Sequence, residues 1–199
     1  DTIEAAQLAL AHTTAGVEVH ILANGSRREH VNRLQEFAEA EPRVVLHTSA
    51  ENLGFAGGHN RLTQLVASAG AAPFAVVFLN NDAFVEPGAL DVLLEELQRD
   101  DRVGVVGPRV LAVEPGSDRI LDDGMLTIPW LMQQRGRHVG QTAGTCPPGD
   151  PIAVDYVNGT CLMIRWDLWR KVGELDDVFF AYFEDWDLSL RAREAGSLC

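Results

Sequence analysis

Phe74-Ala-Val-Val-Phe-Leu-Asn-Asn-Asp82 decides how this chain is read. An apolar run without alternation stops abruptly at three polar residues. A strand exposed on one face alternates apolar and polar side chains, so an unbroken run predicts a strand covered on both faces. Asn80-Asn81-Asp82 then puts a carboxylate at the rim of the sheet. Upstream, residues 2–12 read as an Ala- and Leu-rich helix and Val17–Leu22 as a strand. Asn24-Gly25-Ser26 reads as a turn. Val31, Leu34 and Ala38 recur at i, i+3, i+7 and predict a helix over Arg28–Ala40. Val44–His47 reads as a strand, Glu51–Asn60 as a glycine-rich loop, and the residues to about Ser68 as a helix. Downstream, Pro87-Gly88 opens a helix over Ala89–Leu97, followed by a strand and turn at Val103–Pro108. This alternation predicts an α/β fold with a mainly parallel sheet flanked by helices, because parallel neighbours require crossover connections.

The second half is less regular. Residues 114–150 are rich in Gly and Pro and read as a loop-rich insertion with short strands, for instance Met125–Ile128. Ile152–Val157 and Thr160–Ile164 read as strands, and Trp166–Val172 as a short helix. Leu188, Ala192 and Ala195, at i, i+4, i+7, mark a last helix with Glu184, Asp185 and Asp187 in its first turn.

A length of 199 residues suits one domain, and 46% hydrophobic residues are enough for a sizeable core. The net charge of −13, from 16 basic and 29 acidic residues, argues against binding duplex nucleic acid, which needs a basic face. It leaves room for a nucleotide diphosphate held through a divalent cation. No apolar run approaches the roughly 20 residues of a membrane span, and no signal-peptide pattern opens the chain. Cys146, Cys161 and Cys199 lack CxxC spacing, which gives no zinc site and suits a reducing compartment.

Ligands of open α/β sheets bind outside the carboxyl ends of the strands. Asn24-Gly25-Ser26, the Asn52–Asn60 stretch and Asn80-Asn81-Asp82 all follow strands, and parallel topology would put them along one edge. Taken alone, Asn24-Gly25-Ser26 is more often a plain turn or an N-cap than a ligand site. The Asn52–Asn60 stretch is neither a P-loop nor GxGxxG. Gly57-Gly58 either permits a tight helix entry or lets backbone N–H groups approach a phosphate or ribose. Asp82 stands five residues before Pro87, too far to cap the following helix, and reads as a ligand for magnesium or manganese with Glu86 as a polar neighbour. Glu184, Asp185 and Asp187 are either helix caps or include a general base. Asp187 can pair with Arg191 at i, i+4. The six histidines are scattered, without metal-ligand spacing.

Seven stretches occur together in one order: Asn24–Ser26, Asn52–Asn60, Phe78–Ala83, Val106–Pro108, Asn158–Thr160, Gly173–Asp176 and Phe179–Gly196. In that order and spacing the chain resembles the inverting GT-A glycosyltransferases of family 2, most closely their bacterial rhamnosyltransferase-like branch. The resemblance implies a Rossmann-like GT-A domain over residues 1–199. Residues 1–112 would form the nucleotide-sugar-binding half, and residues 113–199 the half that binds the acceptor and carries the base. It implies a dTDP- or UDP-linked sugar donor, a manganese or magnesium ion held by Asp82, and a glycan or lipid-linked acceptor. Asn24, Ser26, Asn52, Gly57, Gly58, Asn60, Asn80 and Asn81 would form the donor side. Asp185 would be the catalytic base, and Asn158, Gly159, Tyr182, Glu184 and Trp186 the acceptor side. A cytoplasmic protein working in cell-surface polysaccharide synthesis, able to associate peripherally with the inner membrane face, follows from the same resemblance.

Three departures go with it. Ala23 stands where the family usually has an acidic residue that helps hold the donor's base. The family's usual strand before residues 2–12 is absent, and no His-containing segment follows Cys199. These departures keep open a catalytically impaired sugar-nucleotide-binding module, or an inert fragment, as the alternative. A nucleotidyltransferase shares the α/β plan, but the basic glycine-rich N-terminal loop expected of one is missing.

Overall fold

The computed structural model describes residues 1–70, 72–113, 117–128, 133–146 and 149–199. Parts of the loop-rich insertion read from the sequence, residues 114–116, 129–132 and 147–148, lie outside the described residues. The chain runs α1 (Thr2–Ala11), β1 (Val19–Asn24), α2 (Arg28–Ala40), β2 (Val44–Ser49), α3 (Gly54–Ser68), β3 (Ala75–Leu79) and α4 (Ala89–Arg99). Short strands follow: β4 (Val105–Val106), β5 (Val110–Leu111), β6 (Ile120–Asp122), β7 (Met125–Ile128) and β8 (Gln133–Gly136). The chain closes with β9 (Cys161–Arg165), α5 (Trp166–Val172) and α6 (Glu184–Glu194).

The α/β class holds, but the strand directions are mixed. β1 and β2 pair in parallel, Val19 opposite Val44 through Asn24 opposite Ser49. β9 lies between β3 and β4 and runs antiparallel to both. Crossover helices bring β3 and β4 into the same direction. β9 arrives instead from the long insertion and enters from the opposite end, with Cys161 beside Leu79. The β5/β6 and β7/β8 pairs of the insertion are antiparallel too. No strand forms over residues 152–157. That segment meets β7 at one bridge, Met125 to Tyr156, where the Asp155 N–H also donates to the Met125 carbonyl at 2.9 Å and Asp155 Oδ2 accepts from the Thr127 N–H at 2.6 Å.

The central sheet is covered on both faces, as the apolar run at 74–79 requires. On one face Phe78, Leu162 and Ile164 pack with Trp169 of α5 and with Leu188 and Ala192 of α6. On the other, Met163 and Val106 meet Leu90, Leu93 and Leu97 of α4. Leu188 and Ala192 are fully buried, so the i, i+4 stripe of α6 is its core face. Ile21 and Val44 of the β1/β2 pair are covered by Ala6 and Leu10 of α1.

Candidate active site

α6 begins at an unusual turn. Tyr182 (φ 74°) and Phe183 (φ 73°) are consecutive non-glycine residues in the left-handed region, each costing about 1–2 kcal/mol. The turn is anchored upstream, where the Phe55 N–H donates to the Phe180 carbonyl at 2.9 Å. Gly54 (φ +71°) makes this approach feasible, since a Cβ there would lie 2.5 Å from the Phe180 oxygen. The starts of α3 and α6 are thereby held together.

This turn delivers Asp185, half-buried, into the first turn of α6, where the helix dipole favours a carboxylate. Its Oδ2 accepts from the Gly159 N–H at 2.8 Å, and its Oδ1 from the Trp186 N–H at 2.8 Å. A side chain at 159 would crowd the site, for a Cβ there would stand 3.3 Å from the Phe55 ring and 3.5 Å from Asp185 Oδ2. Asn158 Oδ1 accepts from the Thr160 N–H at 2.8 Å, which shapes the turn. The Asn80 N–H donates to the Thr160 carbonyl at 2.9 Å. Backbone bonds therefore connect Asp185, through residues 159 and 160, to the end of β3 that carries Asp82.

Residues predicted for the donor side separate into two groups. Asn80, Asn81, Asp82 and Ser26 sit at strand ends with solvent access; Asn81 Nδ2 donates to Thr2 Oγ1 at 3.2 Å. Asn24 is committed to local structure, whereas Asn52 lends only its Oδ1 and stays exposed. Asn24 Nδ2 donates to Asn52 Oδ1 and to the Gly54 carbonyl, both at 3.1 Å, and Asn24 Oδ1 accepts from the Leu53 N–H at 2.8 Å. The glycine-rich stretch is also not a loop beyond residue 53, because α3 starts at Gly54. Gly58 is a buried helix residue whose missing side chain admits Asn24, since a Cβ would stand 3.3 Å from Asn24 Nδ2. At Gly57 a Cβ would meet Leu53 Cβ at 3.2 Å. Asn60 is the clearest departure from expectation. It is 8% exposed, its Nδ2 donates to the Leu175 carbonyl at 2.8 Å, and its Oδ1 accepts from the Leu175 N–H at 2.9 Å. An amide committed to one buried backbone segment has a packing role.

On the acceptor side, Glu184 is 5% exposed with Oε2 unpartnered among the described residues, and burial pushes its carboxyl above the usual range. Trp186 is half-buried, its Nε1 likewise without a partner. Tyr182 is 80% exposed and, with Val178, Phe180 and Phe183, forms an apolar lip ahead of Asp185. Asp187 has the bland role, holding Arg191 at 2.7 Å.

Residues of the insertion join this region without having been singled out. Asp122, at the end of β6, is 7% exposed. Burial, and then the fields of Asp123 and Asp185, push its carboxyl up, against a lowering bond from the Gly124 N–H. Burial and the fields of the Asp185 and Asp122 carboxylates likewise raise the Tyr156 phenol to about 12. Asp123 is bonded to His138 Nδ1 at 2.5 Å and lies 3.5 Å from Arg109. Asp122-Asp123-Gly124 carries only a turn signal in sequence.

The family resemblance implies a metal ion at Asp82. Among the described residues no three His, Cys, Asp or Glu side chains converge on one point. Asp82 is an exposed carboxylate at a strand end, a donor of the right hardness for a cation whose other ligands are phosphate oxygens and water. Asp82 would fit a cation completed by ligands from a bound donor, and among the described residues no all-protein cage forms.

Comparison with known proteins bears on the family and the fold. The family model described as glycosyl transferase family 2 matches residues 1–153. The N-acetylglucosaminyl-diphospho-decaprenol L-rhamnosyltransferase of Mycobacterium tuberculosis, found in two strains, is 30% identical over 97% of the chain. The chain spans 66% of the length of those relatives. Among solved structures, the mannosyltransferase PcManGT of Pyrobaculum calidifontis in complex with GDP-Man and Mn2+ superposes with a TM-score of 0.64 at 15% identity, over 100% of this chain and 50% of that one. GalNAc-T7 with UDP, GalNAc and Mn2+ gives 0.65 at 15% identity, over 92% and 35%. These two likenesses establish the GT-A fold, and the family match over residues 1–153 goes further: the chain belongs to glycosyltransferase family 2.

Proposed function

We propose that this chain transfers a sugar, a rhamnose-like deoxyhexose, from a nucleotide-diphosphate donor to a glycan or lipid-linked acceptor, with inversion at the anomeric carbon. The observation that carries the proposal is Asp185, fixed by the Gly159 N–H and joined through Thr160 to the strand end of Asp82. In this reading Asp185 removes the proton of an acceptor hydroxyl. The hydroxyl oxygen bonds to the anomeric carbon as the bond to the diphosphate breaks on the opposite face, and the nucleoside diphosphate leaves. A divalent cation, when bound, neutralises charge on that leaving group, and Asp82 is the side chain that would hold it. Residues 1–112 serve the donor, and residues 113–199 the acceptor and the base.

The choice of a deoxyhexose rests on the names of the mycobacterial relatives, as does an acceptor of the hexosaminyl-diphosphate-lipid kind. The exposed Val178, Phe180, Tyr182 and Phe183 beside Asp185 suit an acceptor presented at a membrane surface. No helix among the described residues is long and apolar enough to cross a membrane; the association proposed is peripheral, at the cytoplasmic face.

The test is transfer from dTDP- and UDP-linked sugars to a short-chain N-acetylglucosaminyl diphosphate lipid in manganese, with Asp185→Asn alongside. Equal rates in the two proteins would remove Asp185 as the base. A second reading, a sugar-nucleotide-binding module without turnover, is favoured by Ala23, 2% exposed where the family usually has an acid, and by the mutual engagement of Asn24 and Asn52. Calorimetry with nucleoside diphosphates and manganese separates the readings, since binding without transfer supports the second.

A further inference from the structure

Asp122 has one oxygen accounted for and one left over. Its Oδ1 accepts from the Gly124 N–H at 2.8 Å, an interaction that an asparagine would make equally well. Its Oδ2 is buried and has no partner among the described residues. Leaving a buried acceptor unmade is costly, more so when it is charged. The neighbouring Asp123 does not share the problem, because His138 and Arg109 hold its carboxylate.

Asp122 is also tied to the base. The Met125–Tyr156 bridge pins the segment after β6 against residues 155–156, and three residues later Gly159 donates to Asp185. Asp122, Tyr156 and Asp185 lie within electrostatic reach of one another. Glu184 Oε2 and Trp186 Nε1, from the residues before and after Asp185 in the chain, are buried and unpartnered among the described residues as well. Buried polar atoms left without protein partners are costly, and a polyhydroxylated ligand that enters beside Asp185 would satisfy them.

We propose that Asp122 is a specificity-determining ligand of the acceptor sugar: its free Oδ2 accepts a hydrogen bond from a second hydroxyl of the acceptor while Asp185 engages the reacting one. The inference rests on the transfer reading for the role of Asp185. Two carboxylates gripping two hydroxyls of one sugar fix the ring's orientation, and so decide which hydroxyl attacks.

The test uses Asp122→Asn, which keeps the Gly124 bond and the side-chain shape. Binding of the short-chain N-acetylglucosaminyl diphosphate lipid, and of analogues each lacking one free hydroxyl, is measured by calorimetry on wild type and variant. The expected loss for the variant with the full acceptor is about 10- to 100-fold, the range for a bond to a charged group. One deoxy analogue binds wild type with the same loss, and variant and analogue combined show no further loss. Nucleoside diphosphate binding is unchanged, and the variant's melting temperature holds or rises, because an unpaired buried charge has been removed. A merely structural Asp122 would lower it instead. Equal acceptor affinity in both proteins, additive losses for every analogue, or no acceptor binding by wild type overturns the inference. If Asp122-dependent acceptor binding is seen without turnover, the inference stands and the transfer reading falls.

Discussion

Replacing Asp185 by Asn separates chemistry from folding, because the structure lets both costs be worked out. The carboxylate accepts from two backbone N–H groups, Gly159 at Oδ2 and Trp186 at Oδ1. An amide has one acceptor oxygen, so one of these N–H groups then faces an NH2. Losing a bond to a charged acceptor costs about 1.5–3 kcal/mol. Losing the negative charge at the start of α6 adds about 0.3–1 kcal/mol. A total of roughly 2–4 kcal/mol lowers the melting temperature by about 4–16 °C in a chain of this size. A domain of ordinary stability, about 5–15 kcal/mol, stays folded at 25 °C. The chemical cost is of another kind. Without a base to take the acceptor's proton, kcat falls roughly 10²- to 10⁴-fold, and acceptor KM rises as well, because the amide holds the reacting hydroxyl less strongly than the carboxylate. The assay is release of nucleoside diphosphate at 25 °C, paired with calorimetric melting of both proteins. A folded variant with kcat within about fivefold of wild type would refute Asp185 as the base.

Three other substitutions probe the framework. Gly54→Ala forces a side chain into a left-handed residue and to within 2.5 Å of the Phe180 oxygen; strain and overpacking of about 2–5 kcal/mol should appear in urea denaturation, and an unchanged midpoint would show that the turn tolerates displacement. Asn60→Ala strips the Leu175 N–H and carbonyl of buried partners. It should cost about 2–4 kcal/mol while leaving nucleotide affinity intact, and a loss of affinity at unchanged stability would return Asn60 to the donor site. Glu184→Gln removes a carboxyl whose pKa burial has raised. In wild type, such a group binds its proton more tightly folded than unfolded, so its charging at neutral pH works against folding. The variant should melt higher than wild type at pH 8, with the gap closing as pH falls through the raised value toward the ordinary carboxylate range, and a gap constant with pH would exclude this cause.

The local signals were legible in the sequence. α2 spans Arg28–Ala40 and α5 Trp166–Val172, as periodicity and composition predict, and β7 spans Met125–Ile128. The core stripe of α6 is Leu188 and Ala192. Helical spacing of apolar residues is a property of neighbouring positions, so it can be read without the rest of the chain. The alternation of elements was enough for the α/β class, and the order of the motifs for the family.

Tertiary structure alone decided the direction of β9, since an apolar run pairs equally well with a neighbour of either direction. It also decided what each polar side chain is free to do. Asn24 and Asn60 look like ligand-binding residues along the chain, yet their amides bond partners 28 to 115 residues away. Asp122 looks like part of a turn, yet it retains an unused buried oxygen within the field of Asp185. A residue's type states which hydrogen bonds it can make; only the fold, by bringing distant backbone to it or leaving it alone, states which remain for a substrate.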